Sequence, residues 1–242
     1  MGTTYSISLK MKYIILIIGF VCFLQACQQP TERMEGYEVH GIDVSRHQQL
    51  IDWDTVAVQP IGFVFIKATE GEELVDKHFK HNWEMVKAKR IKRGAYHFFH
   101  PTLSSFQQAL NFINTVPLEY GDLPPVLDFE VTNGASETLV INRLRSWLSL
   151  IEKHYQVRPI IYTNQKLYKQ YIAGNFDDHI IWMARYSTSS PSLTNNNKWH
   201  FWQYGNRGIV KGIEGDVDLN VFNGSYLELE KICHSPSAAL VK

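Results

Sequence analysis

The sequence has few cysteines, no excess of charge of either sign and only one long hydrophobic run. Three cysteines in 242 residues are too few for a disulfide framework or for a zinc site built from paired cysteines. The 24 basic side chains balance 24 acidic ones without a Lys/Arg-rich block, so no nucleic-acid partner is expected. With 45% hydrophobic residues, the chain predicts one globular domain with a full core.

The hydrophobic run extends from Tyr13 to Leu24 and follows two lysines. Its length of about twelve residues is typical of an export signal and too short for an ordinary membrane-spanning helix. The run ends in Leu24-Gln25-Ala26-Cys27, which resembles the lipobox of bacterial lipoproteins. We therefore expect an exported protein, anchored through lipid on Cys27 to a bacterial membrane, either the outer membrane or the periplasmic face. A plain secretory signal with a fortuitous cysteine is the alternative.

The chain divides into four parts. Residues 1–27 form the predicted signal peptide, and residues 28–36 are polar and aperiodic, which predicts a tether. The domain is expected over 37–232 and a C-terminal tail over 233–242. Cys233 then has no partner, and the exported domain is expected to contain no disulfide.

Short apolar runs alternate with helical patterns through the domain. The runs predict strands at Gly41–Ser45, Gly62–Thr69, Arg93–Phe99, Pro125–Val131, Pro159–Asn164, Ile180–Tyr186, Lys198–Gly205 and Val217–Phe222. Helices are predicted at Trp53–Val58, Lys77–Lys89, Ser104–Val116 and Ser136–Tyr155. The alternation predicts a parallel sheet and a compact α/β barrel. Helical patterns thin out after Tyr171, so loops or hairpins are expected between the last three strands.

The segment Asp128-Phe129-Glu130 lies in one of these apolar runs. An alternating strand sends both carboxylates to one face, with Cα atoms about 6.6 Å apart. Each charge then raises the pKa of the other group, which is how a site obtains one acid and one base at neutral pH. On these residues alone, two acids that cap a helix or meet a lysine are the alternative.

Polar side chains follow the apolar part of nearly every predicted strand. The carboxyl ends of parallel barrel strands meet at one rim, where barrel enzymes place their chemistry. Several buried acids at one rim are costly, since each buried ion costs several kcal/mol unless it is paired. The residues in question are Asp43, Glu70, Tyr96, His97, Asp128, Glu130, Tyr162, Asn164, Arg185, Tyr186, Gln203 and Asp218.

These segments, in this order, resemble glycoside hydrolase family 25, the Chalaropsis-type lysozymes. The resemblance covers nearly the whole domain through Gly41-Ile42-Asp43-Val44-Ser45, Phe65-Ile66-Lys67-Ala68-Thr69-Glu70-Gly71, Gly94-Ala95-Tyr96-His97-Phe98, Pro125-Val126-Leu127-Asp128-Phe129-Glu130, Ile161-Tyr162-Thr163-Asn164, Trp182-Met183-Ala184-Arg185-Tyr186, Trp202-Gln203-Tyr204 and Val217-Asp218-Leu219-Asn220-Val221-Phe222. It implies a single-domain modified TIM-like (β/α)5(β)3 barrel. The implied reaction is cleavage of the β-1,4 bond from N-acetylmuramic acid to N-acetylglucosamine in peptidoglycan.

The resemblance also implies roles for individual residues. Glu130 corresponds to the general acid, and Asp128 to the group that stabilises positive charge or orients the substrate's 2-acetamido group. Asp43 and Asp218 complete an acidic ring. The implied substrate contacts are Tyr96, Tyr162, Trp182, Gln203 and Glu70. No cofactor or metal is expected, and the partners are peptidoglycan glycan strands and, through Cys27, a membrane; a monomer is expected.

Several of these residues also suit a structural role. Tyr162 and Trp182 are suited to filling barrel layers. Asp43 could cap the helix near Asp52, and Glu70 could belong to the first turn of the next helix. Asp216 competes with Asp218, since it lies two residues away on the same face of an extended segment.

Other function classes have less support. His97 and His100 suggest a metal site, but three residues apart they lie on opposite faces of a strand. No Gly-x-Ser-x-Gly turn is present for a serine nucleophile. A glycan-binding protein that has lost catalysis would lack one of the carboxylates, and a chitinase-like enzyme would carry further Asp residues before Glu130 where Val126 and Pro124 stand. Another N-acetylated glycan remains an alternative substrate.

The lipobox predicts that Cys27→Ala releases the protein from the membrane to the soluble fraction. Stable anchoring needs two or more acyl chains, which a lipoprotein cysteine supplies and alanine does not. Fractionation of cells that express each form measures the change. Unchanged membrane association of the variant would show that the signal is not a lipobox.

Overall fold

The computed structural model describes residues 31–194 and 198–235 of the chain. Nine strands are present in this part: β1 (Val39–Val44), β2 (Phe63–Glu70), β3 (Leu74–Val75), β4 (Lys92–Phe98), β5 (Val126–Phe129), β6 (Ile160–Asn164), β7 (Ile180–Ala184), β8 (Phe201–Gly208) and β9 (Val217–Phe222). Strand β1 pairs with β2 on one side and with β9 on the other, which closes eight strands into a barrel. The short strand β3 pairs only with the end of β2.

Helices follow the first five barrel strands. They are α1 (Trp53–Ala57), α2 (Phe79–Ala88), α3 (Ser105–Thr115), α4 (Glu137–Tyr155) and α5 (Gln165–Leu167), which continues as a π-helical turn over Tyr168–Ile172; α6 (Tyr226–Ile232) follows β9. Ser104 and Ser136 cap α3 and α4 by accepting hydrogen bonds from backbone N–H groups of the first turn. The predicted arrangement of five β/α units followed by three strands is confirmed. Within the described ranges, no helix has the length and apolarity required to cross a membrane.

The barrel is mixed rather than fully parallel. Strands β1, β2 and β4 to β8 run parallel, whereas β9 is antiparallel to both β8 and β1. The expectation of a parallel sheet is therefore wrong for the last strand. Only residues 209–216 connect β8 to β9, and a parallel crossover needs a dozen or more residues. The chain returns as a hairpin instead.

The lower interior of the barrel is apolar. It is filled by Val39, Phe63, Phe65, Leu123, Val126, Ile160, Phe201 and Phe222. The rings of Phe63 and Phe65 occupy space beside Gly41 and Gly94, where an added Cβ would lie 2.4 Å and 2.6 Å from the respective rings. Glycine is required at positions 41 and 94 because the two rings approach the backbone closely there. Other residues of these strands also point into the barrel, and those with polar side chains are thereby confined to its opposite end.

Both ends of the described chain pack on the barrel. The backbone N–H of Thr31 donates to the carbonyl of Arg207 at 2.9 Å, and that of Met34 donates to the Tyr204 hydroxyl at 3.3 Å. Residues 31–36, at the end of the predicted tether, thus contact β8. Cys233 is buried at the end of α6 and donates through Sγ to the Leu229 carbonyl. The predicted signal peptide and Cys27 lie outside the described residues.

Candidate active site

A cleft of about 530 Å³ opens at the carboxyl ends of the barrel strands. Inward-facing side chains of successive strands form its floor, because alternate residues of each strand point into the barrel. Eight of the nine predicted catalytic and substrate-binding residues line it: Asp43, Tyr96, Asp128, Glu130, Tyr162, Trp182, Gln203 and Asp218. Lys67, Phe98, Tyr186, Asn206, Glu214 and Asp216 also contribute to its walls.

Asp43, at the end of β1, is held by two amide groups. Gln203 Nε2 donates to Asp43 Oδ2 at 2.9 Å, and Asn220 Nδ2 donates to the same oxygen at 2.7 Å. All three side chains are buried. Hydrogen bonds to the charged form compensate in part for the burial of this carboxylate and fix its position.

A second layer of hydrogen bonds orients the two amides. The hydroxyls of Tyr162 and Tyr186 donate to Gln203 Oε1 at 2.9 Å and 3.1 Å, and Trp182 Nε1 donates to Asn220 Oδ1 at 2.8 Å. Each amide oxygen therefore faces donors, so each NH2 group must face Asp43. The network determines the orientation of both amides.

Asp43 and Asp218 lie opposite each other in the antiparallel register of β1 and β9, and their carboxyl groups lie within hydrogen-bond distance. Burial raises the pKa of Asp43 to about 6, even though the two amides favour its ionised form. Burial and the charge of Asp43 raise the pKa of Asp218 to about 8. The pair therefore retains one proton at neutral pH, and this proton resides mainly on Asp218.

Asp128 and Glu130 form a second carboxyl pair within hydrogen-bond distance. Asp128 is 4% exposed, and burial together with the charge of Glu130 raises its pKa well above the usual range. Strand β5 ends at Phe129, so Glu130 lies beyond the strand with its side chain open to the cleft. The cleft walls still shield Glu130 enough to raise its pKa, whereas Asp128 as hydrogen-bond partner and Lys67 as a nearby charge lower it.

Lys67, in the cleft wall, is a cation whose charge acts on both members of this pair. Its side chain is 12% exposed, its Nζ lies 2.7 Å from Glu70 Oε2, and it stands 5.1 Å from the centre of the Phe98 ring. The ammonium charge lowers the pKa of both Asp128 and Glu130 and opposes the effect of burial. Lys67 thus limits how many protons the two carboxyl groups hold.

The sequence and the fold both match known proteins. The family model described as glycosyl hydrolases family 25 matches residues 42–213. The chain belongs to glycosyl hydrolase family 25. Lysozyme M1 of Streptomyces globisporus is 33% identical over 206 residues, covering 79% of this chain and 70% of that protein. YegX of Escherichia coli K12 is 43% identical over 199 residues, covering 80% and 73% respectively.

A solved structure gives the same result. A family 25 glycosyl hydrolase from Bacillus anthracis superposes with a TM-score of 0.79 at 38% identity, covering 84% of this chain and 97% of that one. The modified barrel expected from the sequence is therefore confirmed, and the chain is a glycoside hydrolase of this family.

Glu70 is the predicted residue that does not line the cleft of the family 25 enzyme. It lies at the end of β2 and contacts Lys67 and His100, with His100 Nε2 at 3.3 Å from Glu70 Oε1. The hypothesis that Glu70 opens the next helix is wrong, because α2 begins only at Phe79. Glu70 reaches the site through Lys67, whose ammonium it positions.

His97 and His100, which suggested a metal site, have different side-chain partners. His97 is fully buried between the barrel and the helices, where it stacks on Trp147 and contacts Thr69 Oγ1 through Nδ1 at 2.7 Å. His100 follows β4 and contacts Asn133 and Glu70. In residues 31–194 and 198–235, no three His, Cys, Asp or Glu residues are grouped to hold a metal ion.

For the remaining aromatic and acidic residues, burial and strand register show which have a structural role and which face the cleft. Tyr162 and Trp182 are 6% and 2% exposed and belong to the apolar interior, so they fill the barrel and also form the cleft floor. Asp43 caps no helix in the described chain; Asp52 caps α1 instead. Asp216 lines the cleft wall with its side chain 63% exposed, whereas Asp218 faces Asp43.

Two residues that act on the site's carboxyl groups, Lys67 and Asn220, were not singled out from the sequence. Tyr186 was expected at the rim, but without an assigned role. The alternation of β2 identifies Lys67, because Phe63 and Phe65 point into the barrel and Lys67 is the next residue on the same face. Asn220 follows Asp218 with the same parity. Tyr186 lies beyond the end of β7, where alternation carries no information.

We expect Asp218→Asn to stabilise the enzyme and to weaken the pH dependence of its stability. Because its pKa rises from 3.8 to about 8 on folding, the native state binds a proton that the unfolded chain has lost between these pH values. The stability contributed by this group is therefore present below about pH 4 and falls as pH rises towards 8. The gain in Tm should be larger at pH 8 than at pH 4, at about 2–4 °C per kcal/mol.

Thermal unfolding at several pH values measures this difference. Asp216→Asn is the matched control, because it removes an exposed carboxylate two residues away. An equal gain from both substitutions, or a gain from Asp218→Asn that does not depend on pH, would contradict the assigned proton.

Proposed function

We propose that this protein is a peptidoglycan muramidase, a lysozyme that hydrolyses the β-1,4 bond between N-acetylmuramic acid and N-acetylglucosamine. The observation that carries the proposal is the hydrogen-bonded pair of Asp128 and Glu130 in an acidic cleft at the carboxyl end of the barrel. Similarity to Lysozyme M1 supports the same substrate. Peptidoglycan glycan strands are the proposed partner.

Glu130 is the proposed general acid. It lies beyond β5 and is the more exposed member of the pair, so its proton reaches a glycosidic oxygen in the cleft. General acid catalysis requires a group that is still protonated near working pH, and burial raises the pKa of Glu130 in that direction. Protonation of the leaving oxygen lets the glycosidic bond break as positive charge develops on the anomeric carbon. A water molecule then forms the new bond to that carbon and gives its proton to a carboxylate of the cleft.

Asp128 is the proposed partner of the 2-acetamido group. No N–H or hydroxyl group of the described residues donates to its buried oxygen Oδ1. An acetamido N–H that donates there favours the charged form of Asp128. The proton shared by the pair then resides on Glu130, so substrate binding itself loads the acid. The resulting Asp128 carboxylate orients the acetamido oxygen or stabilises the developing positive charge.

Asp43 and Asp218 form the opposite wall. The amides of Gln203 and Asn220 fix the Asp43 carboxylate. The proton that the pair of Asp43 and Asp218 retains stays on Asp218. One fixed negative charge and one hydroxyl donor thus face the sugar that carries the positive charge. Tyr96, which lines the cleft between β2 and β5, completes the wall towards Asp128.

The location of the protein follows from its N-terminal sequence as part of the same proposal. A signal sequence that ends in a lipidated Cys27 exports the enzyme and anchors it to a bacterial membrane. Thr31, four residues after Cys27 in the sequence, packs on β8, so the anchor would hold the cleft close to the membrane-facing side of the cell wall.

A digest of purified peptidoglycan tests the activity. Reduction of the products and mass spectrometry identify the sugar at each new reducing end. Ends of N-acetylmuramic acid are expected. Ends of N-acetylglucosamine would identify the protein as a glucosaminidase. Glycan strands that stay intact would show that the protein does not hydrolyse peptidoglycan.

Glu130→Gln should lower kcat by roughly 10²- to 10⁴-fold, the usual contribution of general acid catalysis, because glutamine keeps the shape but has no proton to give. Binding of glycan fragments to this variant should survive, as measured by calorimetry. Glu214→Gln removes another carboxylate that lines the cleft and should stay near the wild-type rate. Wild-type turnover by Glu130→Gln would assign the acid to another carboxyl group.

Asp128→Asn should move the alkaline limb of the pH–rate profile to lower pH and also lower the maximum. The reason is that the last proton of a carboxyl pair is lost late, since its loss places two like charges side by side. With asparagine, Glu130 titrates without that repulsion. An alkaline limb that does not move would show that the two groups are not coupled during turnover.

A further inference from the structure

A second cavity of about 460 Å³ adjoins the cleft and has no role in the reaction described above. One wall consists of residues 31–35, and the other of the loop after β7 and the middle of β8. Tyr186 and Asn206 line both this cavity and the catalytic cleft. The two spaces are therefore contiguous, and residues 31–35 lie outside the range that the family 25 model matches.

The N-terminal wall is seated on β8 by specific contacts. Thr31 and Met34 are bound through their backbone N–H groups to Arg207 and Tyr204. Thr31 also packs directly on Gly205, where an added Cβ would lie 2.2 Å from Thr31 Cγ2. A glycine at this position is what allows the segment to approach the strand.

Tyr186 is an aromatic platform between the two spaces. Its hydroxyl is bound to Gln203 Oε1, while 57% of the residue is exposed. The ring is thus anchored at its buried end and offers an exposed face without a further loss of side-chain freedom on binding. Sugar rings bind to such faces through their C–H groups.

The polar groups around the platform favour a sugar over a charged peptide. Ser187, Thr188 and Asn206 supply hydroxyl and amide groups, and Glu32 and Glu35 line the N-terminal side. Carboxylates accept hydrogen bonds from sugar hydroxyls, whereas they repel the carboxylates of a peptidoglycan stem peptide. The Arg33 guanidinium donates instead to the carbonyl of Pro60.

We propose that residues 31–35 and the Tyr186 platform form an additional sugar subsite, which binds a further N-acetylated sugar of the glycan strand whose bond is cleaved in the adjoining cleft. This subsite rests on the proposed muramidase function. It makes the N-terminal segment a determinant of substrate length. A long strand gains contacts that a short oligosaccharide cannot reach.

The experiment compares three substrates of the full-length protein: long glycan strands freed of peptides, the same strands with their peptides, and a peptide-free tetrasaccharide. Gly205→Ala forces residues 31–34 away from β8 and should raise KM for the long strands about 3- to 10-fold, the equivalent of losing about one hydrogen bond. The kcat value and the kinetics of the tetrasaccharide should not change. Adding Thr31→Gly should restore KM, because it removes the side chain that the new methyl group meets.

A second variant avoids any change within the barrel. Thr188→Ala truncates an exposed side chain of the cavity and should raise KM for long strands in the same direction by a smaller factor. An unchanged KM in both variants, or an equal change for both substrates, would overturn the subsite. An effect seen only with strands that retain their peptides would show that the subsite binds a stem peptide and not a sugar. Failure of the wild-type protein to cleave either substrate would instead reject the muramidase function.

Discussion

Four carboxyl groups lie at the upper end of a closed barrel, and the rest of the site depends on how many of them can be ionised at the same time. Asp43 and Asp128 are almost wholly buried, and each is paired with a more exposed acid, Asp218 or Glu130. Isolated buried ions cost several kcal/mol each, so each pair keeps a proton. The crowding that opposes folding is therefore also what keeps an acid protonated at neutral pH.

The surroundings of the two buried acids differ, and their proposed roles differ for that reason. Asp43 receives two amide hydrogen bonds, whose donors are oriented by Tyr162, Tyr186 and Trp182. Asp128 Oδ1 receives none from N–H or hydroxyl groups of the described residues. A carboxylate with its acceptors filled acts as a fixed charge, whereas one with an unused acceptor is available to the substrate. Lys67 keeps the second pair from accumulating a further proton by stabilising its charged form.

Much of the site could be predicted because parallel strands place their carboxyl ends at one rim. Asp43, Tyr96, Asp128 and Gln203 converge there for that reason. Features set by tertiary neighbours could not be predicted. The sequence predicted a loop or hairpin before β9 but not the antiparallel direction of that strand, and it did not predict that Asn220 supports Asp43. Glycine at position 205 is explained only by its contact with Thr31, far away in the sequence.

The apolar and catalytic halves of the barrel interior are mechanically continuous. Phe65 occupies the space left by Gly94 and stacks on Trp182 with ring centres 4.2 Å apart. Trp182 in turn donates to Asn220, and Asn220 donates to Asp43. The position of the catalytic wall thus depends on the packing of the Phe65 ring, and Phe65 is the register partner of Asp43 on β2. Because close-packed interiors transmit displacement, the glycines that admit the phenylalanine rings are part of what places the Asp43 carboxylate.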